Sequence, residues 1–137
     1  MAIASSVHTD AAVADELLEW VLVAADAADE KLATDIVVIE MGDTISITDY
    51  FVIATGRNAR QVRAIAEGVE EHVDALGGPR PVRVEGRDEY RWLLMDYGGF
   101  VVHVFDTEAR GYYDLDRLWG ELPRVPWVAP ADRDPTV

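Results

Sequence analysis

Asp96, His103 and Asp106 are the side chains best placed to do chemistry in this sequence. Carboxylates on adjacent strands can hold magnesium for nucleotidyl transfer. Two features weigh against that use. The step from His103 to Asp106 puts them on opposite faces of a strand. Asp96 directly precedes a turn, where carboxylates serve local geometry. The other histidines, His8 and His72, are solitary, and the three show no zinc spacing. No serine stands on a Gly-x-Ser-x-Gly turn. The chain has no cysteine, which excludes thiolate catalysis, disulfides and cysteine-ligated metals. Thr55-Gly56-Arg57-Asn58-Ala59-Arg60 leads a strand into a helix N-terminus that could cradle a phosphate. It lacks the Gly-x-x-x-x-Gly-Lys-Ser/Thr pattern, and a strand–loop–helix needs a glycine anyway, so a structural role is favoured.

The remaining chemical signal is aromatic. Trp92, Tyr97, Phe100, Tyr112, Tyr113 and Trp119 fall within 28 residues. Together with Arg91 and Arg110 they have the composition of a protein-binding hot spot. A core role is the favoured reading for Phe100, Tyr113 and Leu115. Trp92 and Tyr97 lie on opposite faces of one strand, so at least one should point away from any covering helix.

The element that positions them is a hairpin, Arg91 to Asp106, with Gly98-Gly99 at its turn. Trp92, Leu94 and Asp96 share one face of its first strand, and Leu93, Met95 and Tyr97 the other. Both faces are mostly apolar and should be covered. Leu93, Met95 and Val101 are expected to pack on helices, leaving the face led by Trp92 and Leu94 for another chain. Alternation does not fix which face is inside, so this could be inverted.

Thr9 or Asp10 can cap a helix reaching about Lys31, with Val13, Leu17, Leu18, Val21, Ala24 and Ala25 as its apolar stripe. Trp20 lies beside the stripe, with a core position favoured over a subunit contact. Strands are expected at Asp35–Met41, followed by a Gly42-Asp43 turn, and at Asp49–Thr55. Asn58 and Gln61 form a capping box for a helix burying Val62, Ile65, Ala66, Val69, Val73 and Leu76, ended by Gly77-Gly78. Arg80–Glu85 reads as a short strand, with a right-handed crossover and a locally parallel pair. Asp114 can cap a last helix from Leu115 to about Leu122. The expected fold is α/β: one domain over residues 1–122, with a mixed sheet of about five strands flanked by helices. Residues 123–137, rich in proline, read as an irregular tail. The two long helices can cover one face of the sheet, and the last helix is too short to cover the other alone.

Composition narrows the class of partner. The 137 residues suit one domain, and the net charge is −14. Residues 1–56 hold one basic residue, Lys31, against 11 acidic ones. Such a field repels phosphate backbones, so DNA binding is not expected; it either attracts basic proteins or serves only to keep the chain soluble. No secretory leader and no membrane span are read, and a cytoplasmic location fits.

Three blocks resemble the ribosomal silencing factor (RsfS, or Iojap-like) family, over roughly residues 10–120. They are Ile47-Thr-Asp-Tyr-Phe-Val-Ile-Ala-Thr-Gly56 with Asn58-Ala-Arg-Gln-Val-Arg-Ala-Ile65, then Val84-Glu-Gly86 with Trp92 and Asp96-Tyr-Gly98. The third is Val102-His-Val-Phe105 with Glu108-x-Arg110 and Tyr113-x-Leu-x-x-Leu-Trp119. The resemblance implies a nucleotidyltransferase-like fold without transferase chemistry, no cofactor, and homodimers. It implies binding to the large ribosomal subunit through ribosomal protein L-fourteen. That would block joining of the small subunit and lower translation when nutrients are short. Carried over by position, it implies a partner surface of Trp92, Leu94, Asp96, Tyr97, His103, Arg110 and Tyr113. Gly99 departs from the acidic residue common there, which suggests a looser turn. The transferase pattern of Gly-Ser followed by Asp-x-Asp is missing, and a nucleotide-binding enzyme is the alternative.

Overall fold

Helix formers fill the first thirty residues, and no Gly or Pro interrupts them before Lys31. In the computed structural model they form one helix, α1 (Ala2–Glu30). The structure describes residues 2–42, 44 and 48–133, with side chains from residue 16 onward within α1. Val13 and Asp43 lie outside the described side chains and residues. Thr9 and Asp10 are interior to α1 rather than caps, because alanine-rich sequence on both sides sustains the helix. Val21, Ala24 and Ala25 are fully buried, and Leu17, Leu18 and Trp20 pack at the edge of the same core.

The helix stops without glycine. Leu32 takes φ +67°, and the N–H of Ala33 returns to the carbonyl of Ala28. The Gln61 amide donates to the carbonyls of Lys31 and Leu32 at 3.2 and 3.0 Å. Gln61 also accepts from the Arg57 N–H at 2.7 Å, while its own N–H donates to Asn58 Oδ1 at 2.9 Å. The capping pair of α2 (Ala59–Ala75) therefore also closes the end of α1. The two helices pack closely at Gly68, where a Cβ would fall 2.6 Å from the Lys31 stem. Leu76, expected inside, is 56% exposed, since the helix has already ended at Ala75.

Five strands follow the expected positions: β1 (Thr34–Glu40), β2 (Tyr50–Gly56), β3 (Arg83–Glu85), β4 (Trp92–Asp96) and β5 (Phe100–Asp106). Their spatial order is β1-β2-β5-β4-β3. Among the described residues the only parallel pair is β2 with β5; the other three are antiparallel. The crossover through α2 therefore does not pair β3 with β2. It carries the chain to the far edge, and the hairpin β4–β5 folds back to fill the gap. The hairpin turn is closed, not loose. Tyr97 N–H bonds Phe100 O at 2.9 Å, Gly98 takes φ +87°, and Asp96 accepts from the Gly98 N–H at 2.8 Å.

Alternation divides the sheet between two cores. Val38, Val52, Ala54, Leu93, Met95, Tyr97, Phe100, Val102 and Val104 face α1 and α2. Ile39, Met41, Phe51, Ile53, Val101 and Phe105 face the other way. Val101 thus belongs to the face of Trp92, opposite to expectation, because its partner across the hairpin is Asp96. The second face is better covered than foreseen. Asp106 caps an additional helix, α3 (Thr107–Tyr113), by accepting from the Ala109 N–H at 2.7 Å. The helix opened at Asp114 is short, α4 (Leu115–Leu118), and the Asp114 side chain makes no capping bond. Ala109 of α3 and Leu115 of α4 are buried in this second core.

Over its described residues, 123–133, the proline-rich tail has one turn of 3₁₀ helix, Pro130–Asp132, and a single antiparallel bridge from Arg124 to Ile39. It is fastened to the edge of β1. Glu40 N–H bonds Pro123 O, and Val125 N–H bonds Val38 O, both at 2.9 Å. Val125 and Trp127 pack on the main core, and Asp26 accepts from Trp127 Nε1 at 2.8 Å and from Arg133 at 2.6 Å.

Candidate partner-binding face

The second sheet face brings four of the expected residues together. Leu94 and His103 are register partners across β4 and β5. The Trp92 indole N–H donates to His103 Nδ1 at 3.1 Å. Tyr113, from α3, lies against Trp92 with ring centroids 4.5 Å apart, and Phe105 adds a ring 5.0 Å from Trp92. Tyr113 is 48% exposed and so is no core residue. A seven-residue helix presents one narrow buried side, here taken by Ala109, which leaves Tyr113 at the rim. Trp92 and Leu94 are half-buried at the margin of the second core. His103 is buried, its Nε2 has no partner among the described residues, and burial pushes its pKa down to about 4.

The other three are placed elsewhere. Tyr97 points under the helices, stacked on Phe100 at 4.6 Å, with a buried hydroxyl that has no hydrogen-bond partner among the described residues. Burial, helped by the charge of Glu70, raises its pKa. Asp96 serves the hairpin turn and lies 3.5 Å from Arg83. Arg110 makes a two-pronged bond to Asp116 at 2.8 and 2.9 Å, and a third to Thr55 Oγ1 at 2.6 Å. Burial pushes the Asp116 carboxyl up, but Arg110, a backbone N–H and Arg124 together outweigh it and hold the pKa below the ordinary value. The carboxylates considered for magnesium are thus employed locally, Asp96 in a turn and Asp106 as a helix cap. Among the described residues no group of three His, Cys, Asp or Glu could hold a metal ion. Gly56 is held by packing: a Cβ would fall 2.9 Å from the backbone N of Val62.

Beside Trp92 opens a cleft of about 620 Å³ between the 86–91 loop and α3, lined by Asp88, Glu89, Glu108, Tyr112 and Tyr113 among others. Gly86 makes the approach possible. It has φ +99°, and a Cβ there would fall 2.1 Å from the Trp92 carbonyl oxygen. Sequence reasoning missed this cleft because it missed α3. The readable signal was Asp106-Thr107-Glu108, a capping residue followed by an acidic first turn.

A mixed five-stranded sheet, with helices burying one face and an aromatic cluster at the margin of the other, defines a single-domain α/β protein. A family model described as "Ribosomal silencing factor during starvation" matches residues 14–136, and the chain belongs to that family. The match runs through the tail, beyond the three sequence blocks. The chain is 43% identical over 101 residues to ribosomal silencing factor RsfS of Bacillus subtilis, covering 74% of this chain and 85% of that one. It is 36% identical over 93 residues to "Mitochondrial assembly of ribosomal large subunit protein 1" of Mus musculus, covering 66% of this chain and 40% of that one. Among solved structures, protein CV0518 of Chromobacterium violaceum superposes with a TM-score of 0.72 at 30% identity. That superposition covers 85% of this chain and 95% of the other. Among the described residues no helix is long and apolar enough to cross a membrane.

Proposed function

We propose that this protein represses translation by binding the large ribosomal subunit through ribosomal protein L-fourteen and sterically blocking the small subunit. Nutrient limitation is the condition under which it acts, and its free form is a homodimer. The observation that carries the reading is the set Trp92, Leu94 and Tyr113 at the margin of the second core, with Trp92 bonded to His103 and packed beside Tyr113, and not enclosed by the protein's own helices. Rigid aromatic anchors at the margin of a core are what a protein partner buries first. The net charge of −14 favours a basic ribosomal protein over the RNA that surrounds it. An interface of ordinary size, ~800 Å² per partner, suffices to occlude a joining surface. Tyr97 and Arg110 support this surface from within rather than forming it.

Sedimentation with purified large subunits tests the proposal. The wild-type chain should travel with them, and Trp92→Ala and Tyr113→Ala should lose at least tenfold in affinity, as truncated hot-spot residues do. Circular dichroism would check that the variants are folded. If folded variants sediment as the wild type does, the face is misassigned; if the wild type fails to sediment, the function is.

A further inference from the structure

The cleft beside Trp92 has a chemistry that the aromatic face alone does not explain. Its charged groups are unequally employed. Arg91 is committed to Glu108 and Asp106. Asp88 and Glu89 make no ion pair among the described residues, although both line the cleft and both are exposed. Arg87, the nearest other cation in sequence, turns away to Glu70. The opposite wall is aromatic. Tyr112 and Tyr113 stand at 89° to one another, 5.0 Å apart, and Tyr113 is tilted 47° from Trp92. Tyr112 is 80% exposed and meets Tyr113 edge-on, so its ring stands in the wall without being part of any core.

An anion would be repelled by the carboxylates, and a purely apolar group would strand them. A hydrated metal ion gains little from indole and phenol rings. A group with an apolar stem and a cationic, flat end satisfies both walls, with its stem and π-face against the rings and its N–H groups towards Asp88 and Glu89. We propose that this cleft receives an arginine side chain from a basic protein partner. Arginine fits better than lysine because its guanidinium is planar, stacks on rings and can meet two carboxylates at once. The volume of about 620 Å³ leaves room for the flanking peptide. The proposed ribosomal role supplies only the source of the arginine; the cleft's chemistry stands on its own residues.

N-acetylarginine methylamide, titrated into the full chain, tests this by NMR, with the neutral citrulline analogue as the shape-matched control. The arginine probe should shift the Trp92 indole N–H and the Tyr112 and Tyr113 rings saturably, in the range of tens of millimolar or tighter. Citrulline should bind about tenfold more weakly or not at all, and Asp88→Asn/Glu89→Gln should reduce arginine binding by about tenfold. Equal shifts from both probes, no saturable shift, or an unchanged variant would each overturn the assignment. Sedimentation of the same samples with large subunits separates the two readings. A chain that sediments but ignores arginine removes the cleft proposal alone. One that binds arginine but does not sediment supports the cleft and removes the ribosomal source.

Discussion

The indole N–H of Trp92 and Nδ1 of His103 form a 3.1 Å hydrogen bond that decides which imidazole tautomer the fold holds. Nδ1 accepts, so the proton of the neutral ring sits on Nε2, which is buried and has no partner among the described residues. Protonating Nδ1 would set two donors against each other inside an aromatic core. Burial keeps the imidazole of the folded chain unprotonated down to about pH 4, while the unfolded chain takes a proton near 6.5. Between those values the unfolded state holds more protons, so stability falls as pH falls. The loss should reach about 3 kcal/mol below pH 4. Urea melts across this window should show it, and His103→Gln should flatten the curve. A variant with the wild-type slope would show that another group titrates.

Arg110 ties α3, α4 and β2 together through Asp116 and Thr55. Arg110→Met keeps the stem but strands the Asp116 carboxylate. A loss of roughly 1–3 kcal/mol is expected in chemical denaturation. The Asp116 carboxyl, followed by NMR, should titrate at higher pH than in the wild type. In the wild type its folded pKa is depressed, so its stabilisation is present above 3.8 and is lost as pH falls through the folded value.

Gly86→Ala should be far more costly than an ordinary loop substitution. The new Cβ would meet the Trp92 carbonyl at 2.1 Å on a backbone with φ +99°. At least about 2 kcal/mol is expected. Because β4 begins at this contact, the Trp92 indole signal should move as well. A thermal melt matching the wild type would mean that the loop relaxes freely.

Ending the chain at Pro123 removes Val125 and Trp127 from the core, and the two donors from Asp26. It also frees the edge of β1 at the Val38 carbonyl. A loss of roughly 2–4 kcal/mol is expected, together with self-association seen by sedimentation velocity, since an open strand edge pairs with its like. A shortened chain as stable as the full one would make the strap ornamental.

The periodicities that placed the five strands and α2 were strong because burial on both sides of β2 and β5 demands apolar runs. The hairpin was readable from Gly98-Gly99 for the same local reason. Helix α3 was not, since seven residues with one buried alanine carry no stripe. Its absence hid the cleft and made Tyr113 look internal. The sheet order was also out of reach: β2 and β3 flank a helix in sequence, yet two strands separate them in space. The division of the candidate surface followed from register. Tyr97 and Trp92 had been set on opposite faces by alternation, and the structure turns Tyr97 inward. The tail's attachment depends on Asp26, about a hundred positions away from Trp127, a separation no local pattern reports.

The parallel pairing of β2 with β5 joins residues separated by a constant fifty positions, from Tyr50 with Phe100 to Gly56 with Asp106. On either side of that seam, β1–β2 and β3–β4–β5 are antiparallel neighbours that sequence proximity can assemble early. Order of assembly follows: two small units form, and the molecule becomes one when β2 meets β5. Loop closure over such a span is slow compared with helix formation. Shortening Val52 or Val102 should therefore slow refolding, whereas loosening the strap at Trp127 should mainly hasten unfolding.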